Sequence, residues 1–245
     1  VAQASAAAAR AMAIMNRGEY ELSPIRAVVD EGRCDGCGEC VARCPVEAIS
    51  VDGVAKINLA LCKGCGACIG YCPRDALDLR LFSNAEIMAE IEAALAGKKP
   101  GERRVLVFAD DMCTYTLADG VGTSKLPYPT STYIIRVPSS SRVTSGMLVR
   151  AFALGADAVF LGECEEAVSP FPGSLEAIKD NVERARQALG AVGIEPDRIQ
   201  YSAFVTVMFK KFTDIIRSLT DKVKQYEEIP EEKRKELEGV VEVAR

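Results

Sequence analysis

The pattern of apolar and polar positions divides the chain into two parts of different character. In the first part, short alternating runs predict β-strands at residues 48–51 and 76–79. The dipeptide Asp52-Gly53 predicts a tight turn into a further strand, Val54–Ile57, because Asp-Gly readily adopts the positive φ of hairpin turns. These segments are too short to form a large core by themselves.

In the second part, strand-like and helix-like patterns alternate. Runs of apolar residues with the length of buried strands are separated by stretches whose apolar residues recur at helical spacing. Such alternation predicts a mostly parallel sheet with helices packed on it. The predicted strands span residues 105–109, 133–137, 158–162 and Ile199–Phe204, and the predicted helices span residues 83–95, 145–154, 174–189 and 210–226, with a charged helix after Pro230.

Composition excludes several classes of protein. Of the 245 residues, 49% are hydrophobic, which is enough for a globular core. The net charge is −5 and basic residues do not cluster, so we expect no nucleic-acid partner. Apolar runs fall short of the roughly 18 residues of a membrane span, so we expect no direct membrane insertion. The sequence has no His, which excludes Rieske clusters and Ser-His or Cys-His catalysis.

The first eighteen residues are rich in Ala and lack both a basic start and a strongly apolar stretch. They therefore predict a helix that ends at Gly18 rather than a signal peptide. Because the sequence does not begin with Met, we expect a trimmed chain or a fragment of a longer protein.

A repeated cysteine motif is the strongest signal in the sequence. The run CDGCGECVARCP at residues 34–45 recurs as CKGCGACIGYCP at residues 62–73, an offset of 28 residues. Its spacing binds 4Fe–4S clusters, and in two-cluster ferredoxins the fourth cysteine of each run ligates the other cluster. We therefore predict two 4Fe–4S clusters with exchanged fourth ligands. The first set is Cys34, Cys37, Cys40 and Cys72, and the second set is Cys62, Cys65, Cys68 and Cys44.

Zinc and disulfides are the competing interpretations of these eight cysteines. A single C-x2-C pair would leave zinc open, but two complete copies of the longer run make zinc a poor explanation. Disulfides are weaker still, because they would not require the run to be repeated. Pro45 and Pro73 fit the cluster interpretation, since each ends the short helix that carries the third and fourth cysteines.

Two cysteines, Cys113 and Cys164, lie outside the repeat at predicted strand ends. A ligand or a redox thiol is one interpretation of each, but we favour two small buried hydrophobic side chains. A nucleotide-binding loop is not recognisable either. The glycine-containing stretch at residues 120–125 is too short for a dinucleotide loop and wrongly spaced for a phosphate loop.

Residues 1–95 resemble the C-terminal portion of the A subunit of heterodisulfide reductase. The resemblance rests on the segment AQASAAAARA at residues 2–11, on the paired cysteine runs and on the stretch CKGCG at residues 62–66. In that family the Ala-rich helix closes a flavin domain, so the resemblance implies FAD in a partner or in a region upstream of this chain.

Residues 103–225 resemble the delta subunit of methyl-viologen-reducing hydrogenase. The resemblance is carried by LPYP at residues 126–129, IIRV at 134–137, SRV at 141–143, AFALGADAV at 151–159 and GIEPDR at 193–198. That family binds a 2Fe–2S cluster through cysteines, whereas this chain has DDMC at residues 110–113, SSSR at 139–142 and GECEE at 162–166. We therefore expect the fold without the cluster. Fused chains of this kind occur in heterodisulfide reductase relatives and in the B subunit of the quinone-interacting membrane-bound oxidoreductase, and the altered motifs favour the latter group.

The fold class that follows is an α+β dicluster ferredoxin module followed by an α/β domain with a mostly parallel sheet. We expect a first helix with its lead-in, a two-cluster domain, a helix with a linker, a delta-subunit-like domain and a charged helical tail. Their predicted bounds are residues 1–30, 31–82, 83–102, 103–226 and 227–245.

The function that the resemblance implies is an electron-transfer subunit of a cytoplasmic flavin and iron–sulfur oxidoreductase complex, with no catalytic site of its own. We expect a flavoprotein and other iron–sulfur subunits as partners. A hydrogenase, a formate dehydrogenase or a membrane-bound quinone-reactive protein would complete such a complex, and the last would explain any association with a membrane. The alternative is a free dicluster ferredoxin with an appended regulatory or docking domain.

Overall fold

The computed structural model describes residues 2–19 and 21–243. Four residues lie outside the described residues: 1, 20, 244 and 245. The first predicted segment, residues 1–30, and the last, residues 227–245, are therefore described only in part. Helix α1, Ala2–Met15, corresponds to the predicted Ala-rich helix, and none of its residues is buried.

A cysteine-rich module, residues 21–82, follows α1 and contains two small antiparallel sheets. Strand β1 (Ala27–Val29) pairs with the last strand of the module, β4 (Leu77–Leu79). The predicted hairpin is confirmed, since β2 (Ile49–Asp52) pairs with β3 (Val54–Ile57). A one-turn helix, α2 (Glu39–Ala42), lies between β1 and β2. Because β1 and β4 come from opposite halves of the repeat, the two halves form one unit.

The repeat of the sequence is also a repeat of the backbone. Two non-glycine residues, Glu47 and Asp75, have φ of 51° and 47° and are separated by the repeat offset. The same offset relates Gly53, with φ of 73°, to Leu81, with φ of 67°. Left-handed conformations are uncommon for residues with a Cβ, so their recurrence indicates that both halves follow the same path.

A sheet domain, residues 103–226, contains four parallel strands in the spatial order β6-β5-β7-β8. Both faces of the two central strands are buried, which explains their continuous apolar character. The prediction of a mostly parallel sheet is confirmed. The strands are β5 (Val105–Asp110), β6 (Thr132–Val137), β7 (Ala158–Cys164) and β8 (Ile199–Phe204).

The helices cover both faces of this sheet. One face packs in a single core against α3, α5, α6 and α8, and the other face packs against α4 and α7. Among the helices of the described residues, none is long and apolar enough to cross a membrane. The helices are α3 (Asn84–Leu95), α4 (Thr114–Thr123), α5 (Ser145–Ala153), α6 (Ser174–Ala191), α7 (Phe209–Gln225) and α8 (Glu231–Val243).

Helix α3 begins where its sequence indicates. The Ser83 side chain accepts from the Glu86 amide, and the Glu86 carboxylate accepts from the Ser83 amide, a reciprocal cap of the first turn. Ile87 and Ile91 then enter the core of the sheet domain. The predicted charged tail is also packed, since Leu237 of α8 is fully buried in the same core.

Two elements are present that the sequence pattern did not predict. Strand β1 is only three residues long, and it exists because β4 supplies its hydrogen bonds. Helix α4 contains Gly120 and Gly122, which lower its intrinsic helix propensity. Burial of Leu117 and Val121 against α7 and the sheet stabilises it instead.

Candidate functional site

The eight repeated cysteines form two rings, each of which lines a small cavity. Each ring takes three cysteines from one run and the fourth from the other run. The first ring, which we call site 1, contains Cys34, Cys37, Cys40 and Cys72, and the second ring, site 2, contains Cys44, Cys62, Cys65 and Cys68.

Backbone amides point at several of these sulfur atoms. The amide of Ala48 donates to Cys44 Sγ at 3.2 Å, and the amide of Ala76, one repeat later, donates to Cys72 Sγ at the same distance. The amide of Ala55 donates to Cys34 Sγ at 3.3 Å. These donors favour the anionic form of the sulfur, because an amide makes a stronger hydrogen bond to a thiolate than to a neutral thiol.

Burial acts in the opposite direction on the free thiols. Loss of water raises the pKa of Cys65 to about 11 and raises the pKa of Cys68 well above its ordinary value, with neighbouring cysteines adding to both shifts. Burial also raises the pKa of Cys40. Thiolates in these positions therefore need a strong local positive charge, which metal coordination supplies. Four sulfurs around each cavity, with amides directed at them, fit an iron–sulfur cube.

Site 2 lies against the sheet domain. The Ser141 hydroxyl donates to the carbonyl of Cys65 at 3.2 Å. A Cβ on Gly66 would lie 2.5 Å from Cδ of Arg142, so the arginine stem occupies the space beside this loop. Tyr71, also in the second run, donates its hydroxyl to Asp180 of α6 at 2.7 Å.

Arg142 is a buried charged residue beside the loop of site 2. Its side chain is fully buried and donates to the Phe82 carbonyl, to Asp78 at 2.9 Å and to Asn84 at 2.8 Å. Loss of water lowers the pKa of Arg142 to about 10, which leaves it positively charged near neutral pH. Sequence reasoning noted Arg142 only as part of an altered family motif and did not assign it to the cluster environment.

Cys113 and Cys164 meet at the carboxyl-terminal edge of the sheet. Both are buried, as predicted, but the expectation of two separate hydrophobic side chains was wrong because they form a disulfide with a Cα–Cα distance of 5.2 Å. Asp110 completes a compact group, with its carboxylate oxygen within 4.8 Å of both sulfurs. The two cysteines are 51 residues apart in sequence, so spacing alone gave no indication of their pairing.

Two family models match this chain. The 4Fe-4S binding domain matches residues 27–50 and again residues 55–78, one copy for each half of the cysteine-rich module. The methyl-viologen-reducing hydrogenase, delta subunit, model matches residues 105–226, which is the sheet domain.

The chain is 31% identical over 121 residues to the iron-sulfur D subunit of the F420-non-reducing hydrogenase vhu of Methanococcus voltae, and it covers 90% of that relative. The chain belongs to the hydrogenase delta subunit family. Its delta-subunit portion is the sheet domain, and the two 4Fe-4S motifs precede it.

The same arrangement matches larger relatives. The chain is 36% identical over 231 residues to the A subunit of the Ferredoxin:CoB-CoM heterodisulfide reductase of Methanosarcina mazei, which is 94% of this chain and 28% of the relative. Over 96 residues it is 59% identical to the A subunit of the H(2):CoB-CoM heterodisulfide,ferredoxin reductase of Methanothermobacter marburgensis, 39% of this chain and 15% of that relative. This member of the delta subunit family thus spans little more than a quarter of the heterodisulfide reductase relative that it matches along most of its own length.

These comparisons confirm the resemblance to both families and the two 4Fe–4S binding motifs. The delta-subunit relatives and the heterodisulfide reductase relatives both belong to oxidoreductases by name. The individual cysteine ligands of each cluster, the expected absence of a cluster in the sheet domain and the partners stay predictions.

Proposed function

We propose that site 1 and site 2 each hold one 4Fe–4S cluster and that the chain relays single electrons through them. The observation that supports this most directly is the composition of the two rings. Each cavity is lined by the four cysteines that the exchanged ligand pattern requires, and by no cysteine of the other set.

The chain contributes position and electrostatics to this relay. A bound cluster supplies a centre that gains or loses one electron at a time. Amides directed at Cys34, Cys44 and Cys72 stabilise negative charge on sulfur. Two ligands of site 2, Cys62 and Cys68, are buried. Because β1 and β4 cross between the halves, the two sites are held in one rigid unit.

Exchange of the fourth ligand gives a sharp test. The full chain, assembled anaerobically, should contain about eight iron and about eight acid-labile sulfide atoms and should give spin-coupled EPR signals when reduced. Cys72→Ser should perturb the cluster of site 1, and Cys44→Ser the cluster of site 2. The exposed Arg17→Ala variant, outside the motifs, is the matched control and should keep both clusters.

Three results would reject this assignment. Zinc in place of iron would exclude the cluster chemistry. Only about four iron atoms per chain in anaerobic material would exclude two cubes. Selective damage to the cluster of site 1 by Cys44→Ser would contradict the exchange of ligands, but it would leave intact the conclusion that the chain binds two clusters.

We further propose that the electrons pass between a flavoprotein and other iron–sulfur subunits in a cytoplasmic complex of heterodisulfide reductase type. The names of the larger relatives support this class of complex. Helix α1 supports a partner as well, because its apolar side chains Met12, Ile14 and Met15 are 59%, 49% and 77% exposed. Unpartnered apolar residues on one helix favour a protein surface that covers them.

The complex can be tested on native material. Anaerobic purification followed by size-exclusion chromatography should recover the chain together with FAD and further iron–sulfur subunits. A co-eluting hydrogenase, formate dehydrogenase or quinone-reactive membrane protein would identify the electron donor or acceptor. A stable, flavin-free monomer that exchanges electrons with soluble partners would instead favour a free dicluster ferredoxin with a docking domain.

A further inference from the structure

The disulfide between Cys113 and Cys164 lies in a polar pocket that packing alone does not explain. Cys113 caps the amino-terminal end of α4, and Cys164 is the last residue of β7. Both are almost completely buried, at 5% and 1% exposure. A disulfide that only stabilises the fold needs no titratable groups around it. Here Asp110 lies three residues before Cys113, and Glu163 directly precedes Cys164.

Asp110 is one of these carboxylates. Its Oδ2 accepts the amide of Cys113 at 2.7 Å and lies 3.2 Å from Cys164 Sγ. A sulfur in a disulfide has no proton to donate, so this contact is a hydrogen bond only when Cys164 is a thiol. The acceptor for the reduced state is therefore already in place.

Glu163 is the other carboxylate, and it immediately precedes Cys164. One oxygen accepts from the Ser139 hydroxyl at 2.8 Å and from the Ser140 amide at 2.7 Å. The other oxygen is buried and has no partner among the described residues, and the same is true of the hydroxyl of Thr114 beside Cys113. Burial, reinforced by Asp110, raises the pKa of Glu163 to about 7, so its carboxyl can hold and release a proton near neutrality.

A buried polar path joins this pocket to site 2. The Ser141 hydroxyl lies 3.2 Å from the Cys65 carbonyl oxygen, Ser139 Oγ lies 2.8 Å from Ser141 Oγ, and Ser139 Oγ also lies 2.8 Å from a carboxyl oxygen of Glu163. All three serine and glutamate side chains are shielded from solvent. Three polar contacts therefore connect a cysteine of site 2 with Glu163, and the two serine protons make all three into hydrogen bonds only when the Glu163 carboxyl is itself protonated and donates to Ser139.

We propose that the Cys113–Cys164 disulfide is a third redox centre, a two-electron acceptor reduced by the two iron–sulfur clusters. This inference rests on the proposed function of the clusters. The S–S bond breaks and two S–H bonds form, while two reduced clusters are each oxidised by one electron. Solvent supplies both protons, and Asp110 Oδ2, which lies 3.2 Å from Cys164 Sγ, accepts the hydrogen bond of the new Cys164 thiol. The centre thereby joins one-electron transfer to a two-electron, two-proton step.

Counting electrons tests this directly. The full chain with both clusters assembled is titrated anaerobically with a low-potential chemical reductant, and the clusters are followed by their visible absorbance and EPR. Wild type should take up about four electrons per chain, and the Cys113→Ala/Cys164→Ala double variant about two, since each cluster takes one and a disulfide takes two. Met112→Leu, an exposed neighbour of Cys113, should retain about four.

Thiol labelling provides the second readout and separates the possible failures. After denaturation in a thiol-alkylating reagent, the peptides that contain Cys113 and Cys164 should be unlabelled in the oxidised protein and labelled in the reduced protein. Bleaching of the clusters with no label on these peptides would overturn the inference and leave the cluster proposal intact. Label on both peptides in the oxidised protein would show that the disulfide is absent at rest and would also overturn it. Failure of the clusters to form or to bleach would reject the proposed function itself.

Discussion

The two cysteine loops share the spacing of their cysteines, two glycines and a proline, but their surroundings differ. In the loop of site 1, Cys37 is exposed, and a Cβ on Gly38 would meet no described atom within 4 Å. In the loop of site 2, the equivalent glycine, Gly66, lies against Arg142, and none of the four cysteines is exposed. The sheet domain covers the loop of site 2 and leaves the loop of site 1 accessible to a partner.

This difference indicates how two copies of one cysteine motif acquire distinct properties. Charge, water access and rigidity around a cluster all affect its reduction potential. The loops supply the same cysteine spacing but differ in charge where Asp35 aligns with Lys63, so the surroundings add to a difference that the loops already carry. Four substitutions or treatments test that conclusion, beginning with the largest expected effect.

Alanine at the two equivalent glycines should have unequal consequences. Gly38 and Gly66 have φ of 81° and 79°, so Cβ strain of about 1–2 kcal/mol is common to both variants. At Gly66 the added Cβ would also press on the Arg142 stem, and such overpacking adds about 1–3 kcal/mol. Gly66→Ala should therefore lower the melting temperature of the loaded protein by roughly 2–12 °C more than Gly38→Ala. Equal melting temperatures would show that the sheet domain does not pack on this loop.

Removing the buried charge should shift one cluster selectively. A positive charge favours the reduced, more negative cluster, so Arg142→Gln should lower the reduction potential of site 2. Charges about 8–16 Å apart at an effective dielectric constant of 20 interact by about 1–2 kcal/mol. For a one-electron couple this is roughly 40–90 mV.

The matched control is Arg74→Gln near site 1. Arg74 pairs with Asp35 at 2.7 Å on the surface, where water screens both charges, so its removal should shift site 1 much less. Potentials of both clusters can be measured by EPR-monitored redox titration. A shift of both potentials by the same amount in Arg142→Gln would contradict a local effect.

Iron should leave the two sites at different rates. Because Cys37 is exposed and site 2 lies under the sheet domain, a chelator with a mild oxidant should remove iron from site 1 first. A difference of about tenfold in rate corresponds to about 1.4 kcal/mol in activation free energy. The time course of EPR and iron release distinguishes the sites. Simultaneous loss would mean that exposure does not govern cluster lability here.

The smallest effect is expected at the edge of the domain contact. Tyr71→Phe removes the hydrogen bond to Asp180 but retains an aromatic ring, over which Arg43 and Arg184 lie at 4.4 and 4.8 Å from the centroid. The loss of one hydrogen bond costs about 0.5–1.5 kcal/mol, or roughly 1–6 °C in melting temperature. Tyr115→Phe, an exposed tyrosine on α4, should leave the melting temperature unchanged. A fall in melting temperature as large as that of Gly66→Ala would show that Tyr71 contributes more to the domain contact than one hydrogen bond.

Prediction from sequence was most successful where the signal is local. The capping residues Ser83 and Glu86 lie three residues apart, and the hairpin turn at Asp52-Gly53 involves adjacent residues. The start of α3 and the β2–β3 hairpin could therefore be predicted from the sequence. Strand β1 and helix α4 were missed because neither is stabilised by its own sequence. One depends on β4 for hydrogen bonds, and the other depends on burial of its apolar face.

By itself, the sequence determined the chemistry and the fold class. Cysteine spacing within a run of twelve residues specifies a cluster motif, because those side chains reach one centre through a short loop. Alternation of strands and helices likewise specifies a parallel sheet. Each crossover helix returns the chain to the end of the sheet where the previous strand began, so the next strand runs in the same direction. Neither conclusion requires knowledge of distant contacts.

Only the tertiary structure decided which of the two loops is covered and which cysteines pair outside the repeat. Arg142 reaches Asp78 across 64 residues of sequence, and Cys113 reaches Cys164 across 51. Such contacts depend on how the sheet domain packs against the cysteine-rich module, and packing is set by the sum of many weak interactions rather than by any local pattern. The same motif therefore occurs twice in one chain, but only the fold gives each copy its own environment.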